Sequence, residues 1–118
     1  MKLRTAAVSV LLLFCNIVFI GAQEKSSNAQ AELYCQKGDE AFITRKYDQA
    51  ITLYSKSIQL DNKYPDAYFK RGICYVKTER YTEAVDDFNN FLTWADNTYR
   101  NKDSVRSIII SLGGVPVN

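Results

Sequence analysis

From Ala31 onward, apolar positions along this chain fall into five clusters with helical spacing, and the breaks between the first four are only a few residues long. The first cluster, Ala31 to Thr44, carries Leu33, Tyr34, Ala41 and Phe42, with Gly38 in its middle. The second runs from Tyr47 to Leu60 and holds Ala50, Ile51, Leu53, Tyr54, Ile58 and Leu60. Recurrence at three and four residues predicts amphipathic helices, because it keeps such positions on one face of a helix turning every 3.6 residues. Asp61-Asn62-Lys63 breaks the second helix, and Pro65 opens a third, where its missing N–H costs nothing. Asp66 sits in that first turn, favourably placed against the helix dipole. The third helix is expected to run to about Thr78 and the fourth from Tyr81 or Thr82 to about Trp94, ended by Ala95-Asp96-Asn97. Asp103-Ser104 is expected to cap a fifth, with Val105, Ile108, Ile109 and Leu112 on one face and Gly113-Gly114 as its stop.

The third and fourth clusters repeat the first and second at an offset of 34 positions. Tyr34 answers Tyr68, Gly38 answers Gly72, Thr44 answers Thr78, Tyr47 answers Tyr81 and Ala50 answers Ala84. Conservative partners fill the register between them: Lys37 with Arg71, Lys46 with Arg80, Ile51 with Val85, Tyr54 with Phe88 and Ile58 with Leu92. Helices this short are marginal alone, so their stability must come from packing on one another. A glycine inside a helix costs about 1 kcal/mol relative to alanine unless close approach offsets it. Gly38 and Gly72 are therefore expected to lie against Ala50 and Ala84, with no side chain between the two backbones. The fold class that follows is all-α, an α-α superhelix of helical hairpins with five helices.

Composition alters this picture mainly at the N-terminus. Of the 118 residues, Met1–Ala22 has the layout of an export signal. Lys2 and Arg4 precede an almost wholly apolar stretch from Ala6 to Ile20, and Ile20-Gly21-Ala22 offers small residues for cleavage before Gln23. The apolar run is short of the ~20 residues of a membrane span, but an uncleaved anchor is the alternative. Attachment as a lipoprotein through Cys15 is disfavoured by the bulky Phe14 before it. Cleavage would remove two of the fifteen basic residues and none of the thirteen acidic ones, leaving equal numbers of each. An electrically balanced chain has no footprint for nucleic acid and no polybasic membrane patch. Residues 23–30 read as a polar linker. Cys35 and Cys74 are expected to be two buried thiols rather than a disulfide, since they fall at different depths on their helices.

A helix–turn–helix unit of 34 residues with tyrosine, glycine, tyrosine, alanine and an aromatic at these spacings resembles the tetratricopeptide repeat (TPR) family. The matching residues are Tyr34, Gly38, Tyr47, Ala50 and Tyr54, then Tyr68, Gly72, Tyr81, Ala84 and Phe88. The resemblance divides the chain into a first repeat at 31–64, a second at 65–98, a capping helix within 99–114 and a tail at 115–118. Departures from the family pattern are Asn62 in place of proline, Lys37 and Arg71 in place of leucine, and Phe91 in place of a small residue. The stems of Lys37 and Arg71 are expected to pack while their charges reach water. Phe91 suggests that the fifth helix seats differently from the start of a true third repeat.

The resemblance also implies a concave groove lined by the first helix of each hairpin, holding a partner's extended peptide or helix. Position by position, that groove comprises Cys35, Asp39, Phe42 and Ile43 from the first repeat. The second adds Phe69, Lys70, Ile73, Val76 and Lys77. An apolar centre flanked by Lys70 and Lys77 suits a mainly hydrophobic segment with some acidic character. Alternatively, Phe42, Phe69 and Val76 complete a core beneath the N-terminal segment or the fifth helix. The carboxylate clamp through which some family members bind chaperone C-termini is absent, because Cys35 and Asp39 stand at its first two positions and Lys70 at a later one.

Nothing in the sequence assembles a catalytic site. The chain has no histidine, which removes the commonest general base and metal ligand. Cys35 and Cys74 lack metal or redox spacing. Asp86-Asp87 points its carboxylates about 100° apart on a helix and reads as a solvated face. The function expected is an exported, non-enzymatic scaffold, periplasmic or secreted, without cofactors. It would bind a partner protein or copies of itself. The alternative is a membrane-anchored assembly factor whose first 22 residues stay in place.

Overall fold

The computed structural model of the chain describes residues 26–118, which form five helices and no strand. Met1–Ala22, with its expected export signal, lies outside the described residues. α1 covers residues 26–43, α2 is Tyr47–Leu60, α3 is Pro65–Lys77, α4 is Tyr81–Trp94 and α5 is Lys102–Ser111. α3 packs on both α2 and α4, and α5 rests on α4. No helix among the described residues is long and apolar enough to cross a membrane.

The core runs through the stack as small and aromatic residues in alternation. Ala50, Ala67, Cys74, Ala84, Phe88 and Ile109 are fully buried, with Tyr54, Phe91 and Val105 only 1% exposed. The two helical glycines belong to this packing, and what stands nearest to each is an aromatic ring rather than the alanine of the expected contact. A methyl group on Gly38 would stand 2.5 Å from the ring of Tyr54, and one on Gly72 would stand 2.8 Å from the ring of Phe88. Each glycine thus makes room for the aromatic one turn beyond the alanine, and a ring fills the crossing. The alanine remains buried beside it.

Three helix ends share one termination motif. At the end of α1, Arg45 takes φ 58°, its N–H bonds to the Phe42 carbonyl and the Lys46 N–H reaches back to Ala41. Glu79 repeats this after α3 at φ 60°, with Glu79 to Val76 and Arg80 to Tyr75. Gly113 repeats it after α5 at φ 80°, with Gly113 to Ile110 and Gly114 to Ile109. This pair of bonds, five-to-two and six-to-one, satisfies the carbonyls a helix would otherwise leave open. Gly113 is therefore the stop expected for α5.

Other expectations are corrected. Residues 26–30, expected as linker, are helical and extend α1. Ser27 Oγ donates to the Leu60 carbonyl at 2.6 Å, and Ser57 Oγ donates to that of Ala31 at 2.6 Å, tying the start of α1 to the end of α2. The cap of α5 is Asn101 rather than Asp103-Ser104, and Asp103 in the first turn pairs with Arg106 at 3.1 Å instead. Arg71 does not carry its charge to water. Its Nε and Nη2 each bond a separate oxygen of Asp87 at 2.7 Å, and Nη1 bonds Ser55 at 2.9 Å, so one side chain joins α2, α3 and α4. Asp87 is accordingly buried at 3% exposure, not solvated, while Asp86 beside it is exposed. A planar guanidinium bonded in this two-pronged way can keep a carboxylate ionised inside a protein.

Beyond α4, Phe91 fills the space expected of a small residue, with its ring 5.4 Å from Phe69 and 5.5 Å from Tyr99. α5 turns Val105 and Ile109 onto the stack, covering the end of the second hairpin. The tail then returns across α4. Asn89 donates to the Val115 carbonyl at 3.0 Å and accepts from the Val117 N–H at 2.9 Å.

Candidate partner-binding groove

α1 and α3 lie side by side, and between them opens a cavity of about 240 Å³ lined by Asp39, Phe42, Tyr54, Phe69, Lys70 and Ile73. Five of these six belong to the set expected from the sequence. Tyr54 was not expected: its place on α2 reads as core. Its ring lies against Gly38, and with no Cβ in the way its hydroxyl reaches through to Asp39.

The remaining expected residues do not line the cavity. Cys35 is 1% exposed and lies under the groove rather than in it. Ile43, at 78% exposure, projects from the last turn of α1 into solvent. Val76 is half-buried against the core, and Lys77 is exposed at the end of α3. Phe69 serves both roles, since its ring faces the groove and packs 6.0 Å from Phe88 and 5.4 Å from Phe91.

The polar centre of the groove is a closed network. Lys70 Nζ bonds Asp39 Oδ2 at 2.7 Å, and the Tyr54 hydroxyl donates to Asp39 Oδ1 at 2.7 Å. Burial and then the bond to Asp39 raise the pKa of the Tyr54 phenol well above its ordinary range. Burial works to lower the pKa of Lys70, but the bond to Asp39 and the nearby negative charges outweigh it, and the net shift is upward. Burial raises the thiol of Cys35, with Lys70 acting in the opposite sense. Cys74 is raised by burial to about 11. Both cysteines are free and buried, as expected, so neither offers a nucleophile at neutral pH.

A larger, shallower depression of about 410 Å³ on the α1–α2 side is lined by Lys37, Glu40, Ala41, Thr44, Lys46, Gln49 and Leu53. Its mixed charges and lack of aromatics make it the weaker binding surface. Among the described residues no cluster of three or more His, Cys, Asp or Glu is placed to hold a metal ion.

Comparisons with known proteins agree with this architecture. A family model described as TPR repeat matches residues 31–79, and one described as tetratricopeptide repeat matches residues 65–98. The human protein DnaJ homolog subfamily C member 7 is 38% identical over 69 residues, covering 58% of this chain and 14% of that protein. Dynein axonemal assembly factor 4 of Pongo pygmaeus is 32% identical over 68 residues, covering 58% of this chain and 16% of its own length. Heat shock protein STI1 of Saccharomyces cerevisiae is 34% identical over 61 residues, covering 50% of this chain and 10% of that protein. The chain thus spans less than a fifth of the length of these relatives. Among solved structures, the second TPR of Spaghetti (RPAP3), bound to the HSP90 peptide SRMEEVD, superposes with a TM-score of 0.63 at 23% identity. That match covers 76% of this chain and 85% of the other, and it shows the shared fold.

Proposed function

We propose, from the premise that residues 31–98 are a pair of tetratricopeptide repeats, that this chain is a non-enzymatic protein-interaction module holding a partner peptide or helix against α1 and α3. The observation that carries the reading is the cavity between those helices. It joins an apolar wall of Phe42, Phe69 and Ile73 to a fixed polar centre at Asp39 and Lys70. An apolar surface with a few oriented polar groups is how helical repeats and grooves recognise an extended segment. Tetratricopeptide repeats generally bind proteins without catalysing a reaction. The solved neighbour with a bound peptide is a further support for a peptide ligand.

The module acts outside the cytoplasm in this reading, because the basic start, apolar stretch and small residues of Met1–Ala22 fit a cleaved export signal. N-terminal sequencing of the cell-produced protein should begin at Gln23. Recovery of the intact N-terminus in a membrane fraction would instead favour an anchored factor. For the groove, affinity capture with residues 23–118 is compared with a Phe69→Ala/Lys70→Ala variant whose helicity is checked by circular dichroism. Loss of specific partners from a folded variant supports the groove. Undiminished capture would mean that another face binds. Sedimentation tests self-association, and a monomer over a wide concentration range removes it.

A further inference from the structure

The charge around the groove differs from what its lysines alone suggest. Lys70 is the cation of the cavity, and it is already bonded to Asp39 at 2.7 Å. Asp39 is held in turn by the Tyr54 hydroxyl, so a carboxylate arriving from a partner would have to displace a group fixed from two sides. Asp66 precedes Lys70 by one helical turn and so falls on the same face of α3. Its charge acts on Lys70 and on the neighbouring phenols of Tyr64 and Tyr99. Two carboxylates therefore attend one ammonium. Lys77 lies seven residues beyond Lys70, about 10 Å along the helix, which exceeds the roughly 8 Å screening length at physiological salt. Lys102 donates to the Ala95 carbonyl at 2.8 Å and faces Asp96 rather than the cavity.

The size of the cavity narrows the occupant further. At about 240 Å³ it is smaller than the roughly 300–1,000 Å³ of small-molecule sites, and it fits one aliphatic or aromatic side chain.

Building on the groove reading above, we propose that this surface selects a protein segment presenting one apolar side chain beside a lysine or arginine. The apolar group enters between Phe42 and Ile73, and the neighbouring cation faces Asp39 and Asp66. Acidic segments and free C-terminal carboxylates are disfavoured, opposite to the preference that Lys70 and Lys77 suggest when read from sequence alone.

The test uses residues 23–118 and fluorescent nonapeptides, acetylated and amidated, with a central leucine flanked either by lysines or by glutamates. A third peptide carries glutamates and a free C-terminal carboxylate. The lysine peptide should bind about tenfold more tightly than either acidic one at low salt, with the gap narrowing as salt rises. Asp66→Asn should shrink that ratio while leaving the Asp39–Lys70 bond in place. Asp39→Asn should free Lys70 and turn the preference towards glutamate. Equal or tighter binding of an acidic peptide, or a ratio unmoved in Asp66→Asn, overturns the proposal. If acidic peptides bind best and a folded Phe42→Ala variant loses them, the groove function stands and the charge preference fails. If no peptide binds, both fail. Circular dichroism checks each variant, and Asp66→Asn carries the test should Asp39→Asn not fold.

Discussion

Position for position, the first hairpin sets Lys37 and Leu53 where the second sets Arg71 and Asp87. Lys37 is exposed, with its ammonium 5.3 Å above the Tyr34 ring. Arg71 is enclosed by Asp87, by Ser55 from the preceding hairpin, and by the rings of Tyr68 and Tyr75 at 5.9 and 5.7 Å. The helical position is the same in both. What differs is whether a neighbouring hairpin covers it, since α2 lies over α3. A cation at an open end can remain in water, whereas the same cation between hairpins needs a carboxylate beside it. Identity within a repeat therefore does not determine environment, and place in the stack does.

The sharpest way to break this comparison is to remove the acid. Asp87→Ala should destabilise the fold by up to about 3–5 kcal/mol in urea unfolding, because it strands a largely buried guanidinium. Lys37→Ala, its counterpart's partner position, should stay within about 0.5 kcal/mol. The double change Arg71→Met/Asp87→Leu should recover most of the loss, since a well-packed apolar pair can replace a buried ion pair. If Asp87→Ala and Lys37→Ala cost the same, the contrast between covered and open positions is wrong.

Alkaline pH gives the next effect. Cys74 keeps its proton to about 11 in the folded chain because it is buried, against an ordinary value of 9.0. Between those values the unfolded chain has lost the proton and the folded chain has not, so the unfolded state binds fewer protons and stability falls as pH rises. The loss should reach roughly 2–3 kcal/mol at the top of that window. Melts recorded from pH 8 to 11 should show it, and Cys74→Ala should flatten the decline. The Tyr54 phenol, also raised, adds a loss that starts above its ordinary value of 10.0.

Adding a methyl to each glycine compares the two crossings directly. Gly38→Ala and Gly72→Ala should each cost about 1–3 kcal/mol through overpacking. Gly38→Ala should cost more, because its ring neighbour stands at 2.5 Å rather than 2.8 Å. Thermal unfolding of the two variants ranks them, and a neutral result at either glycine would deny the ring its place there. The smallest effect concerns the turns, where the hairpins should agree. Arg45→Gly and Glu79→Gly each relieve a left-handed residue and should each stabilise by up to ~1 kcal/mol. Unequal gains in chemical denaturation would mean that the two turns differ in ways their matched bonds do not show.

The helices were legible where apolar residues recur on a single face. α2, α3 and α4 begin and end within a residue of expectation, and Pro65 and Gly113 mark the boundaries that their backbone chemistry requires. The start of α1 was hidden because residues 26–30 contribute no apolar stripe; what holds them is Ser27 reaching a carbonyl 33 residues away. The burial of Asp87 was equally illegible, because a carboxylate enters a core only with a partner, and its partner stands on another helix. In the groove, Asp39, Phe42, Phe69, Lys70 and Ile73 come together as expected, since successive turns of α1 and α3 present one face each. Tyr54 joins them from α2 through the gap at Gly38, a three-body arrangement that no single periodicity records.

The interlock of Gly38 with Tyr54, and of Gly72 with Phe88, bears on how such a chain can change over generations. Enlarging the smaller member first produces a collision, and trimming the larger member first opens a hole, so every one-step path to a different pairing passes through a weakened ancestor. Drift at these crossings is confined to paired replacements, whereas the exposed positions around them can vary one codon at a time.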